Sequence, residues 1–328
     1  MQYSVMTDRT LLVGIDEAGY GPLLGPLVVS AAAFDVPREL ENESLWSLLH
    51  HSVTAKATVT RGRVAILDSK KLHKPKEGLA RLERTALAVT TAWRGMPPGL
   101  RALLTLLCPD SVGLLGQHPW YRDADPRLPL EADEGSIRIA ARLLAEDVAA
   151  QDGKVAGAWS EVLPEGHYNR LVRTTHNKAT VLLGLTLRLM QRVADAHPTH
   201  RIHFFIDKQG ARERYGPLLL KSFEDRRLRV LEEEPDRSAY EMVRGDSTWQ
   251  VHFSQSGESH HLPTALASIF SKYLRELLMS CFNAYWREHA PGIRATAGYY
   301  EDGHRFLRDI AAHVDRLGVD RALLVRER

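Results

Sequence analysis

Residues 10–15 (TLLVGI) form an apolar run that ends on two carboxylates, Asp16 and Glu17, and a glycine- and proline-rich connection leads from there into a second apolar run, 27–34 (LVVSAAAF). Two short apolar runs around such a turn read as two buried strands, so the chain begins with β structure. The acidic pair then lies at the exposed edge of a buried sheet, the kind of edge on which sites are built. Successive residues of a regular strand point to opposite faces. Both acids can therefore serve one site only if the chain bends there, and Gly19 and Gly21 permit the bend. The bland alternative is a strand that ends in a solvated acidic turn.

A chain of 328 residues with 44% hydrophobic content has enough apolar material for one large core or two small ones. The apolar stretch 23–34 is about half of the roughly 20 residues that a membrane-spanning helix needs, and no signal peptide or anchor is visible, so the expectation is a soluble, cytoplasmic protein. Cys108 and Cys281 stand far apart and outside any CxxC spacing, which supports neither a disulfide framework nor a thiolate zinc site. With 43 Lys and Arg against 41 Asp and Glu, the formal charge of +2 does not announce a nucleic-acid binder. Binding would rest on local clusters. One is Lys70, Lys71, Lys74 and Lys76; a second runs through Arg212, Arg214, Lys221, Arg226, Arg227 and Arg229, and is equally readable as a solvated face.

Helical spacing of apolar residues predicts helices over 74–91, 134–150, 177–196 and 264–289, and one more helix in the last 25 or so residues. Strands are expected at 154–162, 201–206, 228–232, 239–243 and 248–253, the last two joined as a hairpin across Arg244-Gly245-Asp246-Ser247. Between residues 92 and 152, prolines at 97, 98, 109, 119, 126 and 129 interrupt the pattern before the helix 134–150.

The string 14–29, GIDEAGYGPLLGPLVV, resembles the opening signature of the type 2 ribonuclease H family, DEAGxGPxxGP followed by a small apolar strand. Residues 68–72 (DSKKL) are similar to that family's DSKKL segment, 267–272 (ASIFSK) to its ASIxxK helix start, and Gly298-Tyr299 to the Gly-Tyr element that follows. The resemblance covers roughly 10–90 and 153–310, which makes 92–152 an expected insertion within a single domain, 1–328. It implies an α/β ribonuclease H-like fold, a central mixed sheet flanked by helices with further helices toward the end of the chain. It also implies an endonuclease that hydrolyses RNA, or a single ribonucleotide, in duplex with DNA, expected to act as a monomer.

Four carboxylates holding two divalent ions are what the resemblance implies for the site. Asp16 and Glu17 match the first two. Asp207 ends the strand RIHFFID in the place of the third, and a parallel neighbouring strand would bring it beside Asp16. For the fourth, the family has an Asp ten residues before the Ser of ASIxxK, and here that position is Glu258, ten before Ser268. The extra carbon moves the carboxylate by about 1.5 Å, which matters when two ions sit about 3.5 to 4 Å apart. Asp246 copies the local wording but lies 22 residues before Ser268 and is read as turn chemistry. Clustered acids without Cys or His ligand spacing point to Mg2+ or Mn2+, not zinc; His260 and His261 are read as surface residues. Gly19, Tyr20 and Gly21 stand where the family has Gly-Arg-Gly, whose backbone meets the 2′-hydroxyl, and the guanidinium is replaced by a ring. Ser69 and Lys70 resemble phosphate-contacting residues, and Tyr299 the tyrosine that packs on the ribonucleotide sugar, with a core aromatic as its alternative. Tyr20 and Glu258 together keep open a nucleic-acid-binding homologue with weak or absent catalysis, or a nuclease of altered substrate choice.

Overall fold

The computed structural model describes residues 8–57, 62–73, 78–210 and 212–327. Lys74, Lys76 and the first part of the helix expected at 74–91 lie outside the described residues, and within them that helix runs Ala80–Arg94. Strand β1 (Arg9–Ala18) pairs antiparallel with β2 (Leu27–Pro37), and a small ribbon of β3 (Val53–Thr54) and β4 (Val64–Ala65) follows. After it come β5 (Lys154–Leu163), β6 (Arg201–Asp207), β7 (Arg227–Glu233), β8 (Arg237–Arg244) and β9 (Ser247–Ser254). These form one seven-stranded sheet in the order β5-β2-β1-β6-β9-β8-β7. β1, β6 and β9 are parallel and the remaining pairings antiparallel, so the sheet is mixed, as expected.

Alternation along β1 builds a core on each face of the sheet. Leu11, Val13 and Ile15 face one layer, covered by the helices Glu165–Thr175, Lys178–Ala196 and Gly216–Ser222, while Leu12 faces the other, under the long helix Leu262–His289. Gly14 shares that second face. A Cβ at Gly14 would lie 2.0 Å from the backbone of Pro263 and Thr264, so the absence of a side chain is what lets the long helix begin directly over β1. The helix starts two residues before the expected Thr264 because a proline is tolerated in a first turn, where its missing N–H is not needed.

The same rule explains the segment that was hardest to read. Pro109 and Pro119 each start a helix, Pro109–Leu115 and Pro119–Arg122, and with Leu100–Leu107 and Glu134–Ala150 they place Leu103, Leu107, Trp120, Ile137 and Leu144 in the long-helix core. Helix Glu165–Thr175 has a mostly polar sequence and was not expected; its buried face is Glu165, Gly166, Tyr168, Asn169 and Val172. The last long helix, Tyr300–Leu317, also begins earlier than expected. The hairpin between β8 and β9 turns at Gly245 and Asp246, with Arg244 opposite Ser247.

Candidate active site

Parallel pairing in register, with Ile15 opposite Ile206, sets Asp16 and Asp207 side by side at the same ends of β1 and β6. β6 in turn pairs Asp207 with Ser254 of β9, and the chain continues from β9 into the short helix Gly257–His260, which carries Glu258. Asp207 Oδ1 accepts the backbone N–H of Gly257 at 2.9 Å, which ties that helix to the strand end. From the long helix, Ser268 donates to Glu258 Oε2 at 3.2 Å and lies 2.9 Å from the hydroxyl of Ser69, at the start of the helix Ser69–Leu72. Ser271 donates to the Asp16 carbonyl at 2.9 Å.

The expected bend at the acidic pair comes later. β1 stays paired with β2 through Ala18, and the chain turns at Gly19, whose φ is +86°. A side chain at Gly19 would meet the Pro26 carbonyl at 2.5 Å as well as being strained by the positive φ. What joins the acids is closer to home: Asp16 Oδ1 accepts the Glu17 N–H at 2.7 Å, curling the carboxylate back over the strand end.

Burial and crowding set the electrostatics. Asp16 is 7% exposed, and burial, then Glu17, Asp207 and Glu258, push its carboxyl well above the usual range against a hydrogen bond from Ser268. Burial, and then Asp207, raise Glu17 to about 7. Asp207 is raised by burial, against the Gly257 N–H and Lys70; Glu258 is raised by burial and by Asp68 and Asp207, again against Lys70. Four carboxylates from three separate stretches of sequence thus act on one another, with the Lys70 cation beside them. The donor set is entirely oxygen, which suits a hard divalent ion, and a cation would offset the repulsion. Among the described residues, however, no three of His, Cys, Asp or Glu stand close enough together to hold an ion as they are.

Around the acids, Gly19 and Tyr20 are half-buried and Gly21 exposed. The Tyr20 ring has the Lys178 ammonium 5.1 Å from its centre, so a cation from the start of helix Lys178–Ala196 stands near a ring that replaced one. Tyr299 is 51% exposed, which removes the core-aromatic alternative, and Arg275 lies 5.5 Å from its ring centre. Ser69 is buried and Lys70 exposed. His260 is exposed, whereas His261 is half-buried and stacks on Phe205 at 3.9 Å. The second basic cluster is dispersed: Arg226 is buried on Trp249 at 3.5 Å, Arg229 pairs with Glu241 at 3.0 Å, and Arg214 reaches Glu233 at 3.8 Å. Sequence reasoning had not assigned roles to Ser268 and Ser271, although both sit in the ASIFSK motif, nor to Lys178, Arg275 and Arg326, which carry no local motif.

An acidic, oxygen-donor site at the carboxyl ends of adjacent parallel strands in a mixed α/β sheet is the class that fold and geometry define. No protein-family model matches the chain. It is 34% identical over 135 residues to a ribonuclease HII of Gluconobacter oxydans, a match that spans 40% of this chain and 62% of that protein. The chain is thus similar to a ribonuclease HII over part of its length, and the match spans less than two thirds of that protein. Solved structures overlay loosely: a ribonuclease H3 of Aquifex aeolicus at 15% identity and TM-score 0.44, covering 96% of this chain and 71% of that one. The ribonuclease HII in a PCNA complex from Archaeoglobus fulgidus overlays at 13% identity and TM-score 0.42, covering 97% and 94%. No helix among the described residues is long and apolar enough to cross a membrane.

Proposed function

We propose that this chain is a divalent-metal-dependent endonuclease that hydrolyses the phosphodiester of RNA, or of a single ribonucleotide, in duplex with DNA. The observation that carries the reading is the convergence of Asp16, Glu17, Asp207 and Glu258 at one strand edge, a crowding of like charges that opposes folding. Those four side chains would hold Mg2+ or Mn2+, which when bound supplies an activated water and charge stabilisation at the departing oxygen. Asp16 and Asp207 are positioned by strand register, Glu258 by the Ser268 hydroxyl, and Glu17 by its place next to Asp16. Lys70 stands where it can meet a phosphate entering the acidic site, and the loop Gly19, Tyr20, Gly21 together with Tyr299 flanks the path of the scissile sugar, with Ser69 supporting through Ser268. The chain is read as one catalytic domain that acts as a monomer, with 92–152 inserted and folded into its core.

Tyr20 in place of a guanidinium and Glu258 in place of an aspartate together support a second reading: a nucleic-acid-binding homologue with weak, absent or altered cleavage. Incubation with a DNA duplex that contains one ribonucleotide, with Mg2+ or Mn2+ and with chelator, separates the two. Metal-dependent cutting beside the ribonucleotide is expected. Tight binding with no cutting under either metal would move the assignment to the second reading.

A further inference from the structure

Beneath the loop 19–25 lies a buried group of charges that the acidic site does not use. Arg326 is 3% exposed, and its guanidinium donates to the carbonyls of Gly19 and of Tyr20, the latter at 2.9 Å. The same guanidinium lies 4.1 Å from the ring centre of Tyr168, and the Arg326 N–H donates to the Leu23 carbonyl at 3.0 Å. Asn169 fixes the segment that carries it, donating to the carbonyls of Ala322 at 2.9 Å and Val325 at 2.8 Å and accepting the Glu327 N–H at 2.7 Å. Fully buried Glu165 accepts the Gly25 N–H at 3.0 Å, and Arg275 donates to the Ala297 carbonyl at 2.9 Å while packing against Gly19.

The consequence follows from peptide geometry. In a trans peptide the carbonyl of one residue and the N–H of the next point in opposite directions. With the Gly19 and Tyr20 carbonyls both turned to Arg326, the N–H groups of Tyr20 and Gly21 face away from it, and neither has an acceptor among the described residues. Two successive amides aimed the same way make a small concavity for an anionic or hydroxyl oxygen. A planar guanidinium can bridge two carbonyls with a fixed fork; a lysine ammonium is a single point and has no such fork.

We infer that Arg326 is the positioning residue that orients the Tyr20 and Gly21 amides toward the sugar–phosphate strand, so that discrimination for a ribonucleotide depends on a side chain buried behind the loop. The inference rests on the reading of the site as a ribonucleotide-directed nuclease. It is tested by comparing the affinities of native protein, Arg326→Lys and Arg326→Ala for a DNA duplex with one ribonucleotide and for the matched all-DNA duplex, in chelator so that neither is cut. Hydrogen exchange of the 15–26 segment and the melting temperature are measured alongside. Arg326→Lys is expected to melt close to native, to exchange faster at 19–21, and to lose about fivefold in the affinity ratio, the factor for one neutral hydrogen bond to the 2′-hydroxyl. Arg326→Ala should lose at least as much, and if it fails to fold the lysine variant carries the test alone. An unchanged ratio in a folded variant, or unchanged exchange at 19–21, overturns the role of Arg326. A native ratio of one is a different failure: it overturns the ribonucleotide reading before any variant is made, and the exchange data then still decide whether Arg326 holds the loop.

Discussion

At one end of β1 and β2 the buried carboxylate of Asp35 is met by Arg9 at 2.7 Å, Lys154 at 3.1 Å and His200 at 3.4 Å; at the other end Asp16, Glu17, Asp207 and Glu258 crowd one another. Burial acts to raise the Asp35 carboxyl, and hydrogen bonds from His200, Arg9 and Lys154 outweigh it, holding the group well below the ordinary range. At the opposite end burial and neighbouring carboxylates act in the same direction, and the acids are raised. The two ends share strands, core and solvent boundary, so the difference lies in the partners supplied. A buried charge matched by cations holds structure together, and a set left unmatched is poised to take a cation from outside.

Paired substitutions give the largest test. Asp16→Asn should abolish cleavage while leaving the melting temperature unchanged or higher, because it removes one of several mutually repelling charges. Asp35→Asn should retain cleavage and lose about 2 kcal/mol in urea unfolding, because it weakens the charge-assisted hydrogen bonds that the partly exposed Arg9 and Lys154 make to the buried carboxylate. Binding Mg2+ or Mn2+ should stabilise the native protein by about 2.7 kcal/mol at a hundred times the dissociation constant. That increment should survive Asp35→Asn and vanish in Asp16→Asn. Equal destabilisation by both substitutions, with the metal increment intact in both, would erase the distinction between the two ends.

A smaller effect separates them by pH. Asp35 has a depressed carboxyl, so its contribution is present above the unfolded value near 4 and is lost as pH falls below it. Glu165, behind the loop, is raised to about 7 by burial despite Arg326 and Arg275 nearby. Its contribution is therefore complete below about 4.5 and is lost as pH rises to about 7, on the order of 1 to 3 kcal/mol. Melting temperatures from pH 3 to 8 should show that Glu165→Gln flattens the neutral limb and Asp35→Asn the acidic one. A neutral limb as steep in Glu165→Gln as in the native protein would show that the acids beside Asp16 account for all of it.

What could be read from sequence follows the same division. Asp16, Glu17 and Asp207 were legible because short apolar runs end on them, and Glu258 because of its spacing from Ser268 in the ASIFSK stretch. The helix 134–150 was legible to the residue from its periodicity, whereas Glu165–Thr175 was not, because its buried face, Glu165, Gly166, Tyr168, Asn169 and Val172, is largely polar or small. Asp35 and its hydrogen-bond partners come from residues 9, 35, 154 and 200, and Arg326 reaches Gly19 across 307 positions. No local pattern encodes such contacts; they exist only once strand order and helix packing have been chosen.

The finest test returns to Tyr20, the residue at which the acidic end departs from the Gly-Arg-Gly wording. Its backbone is held by Arg326, so replacing the side chain leaves the direction of its amide to the same buried fork. Tyr20→Arg restores a guanidinium next to the acidic site, and one added phosphate contact should steepen the salt dependence of duplex binding by about one unit of slope. The gain is limited because Lys178 already stands 5.1 Å from the ring centre, and a second cation there repels the first. Binding should therefore tighten by only a fewfold at low salt and not at all at high salt, where screening removes it. The position of cutting should not move, since the acids and the backbone amides that set it are unchanged. The measurement is cleavage and affinity of both proteins across a salt series, on duplexes with and without one ribonucleotide. A shifted cut site, or loss of ribonucleotide preference in Tyr20→Arg, would mean that the ring itself reads the sugar and that the loop's backbone does not act alone.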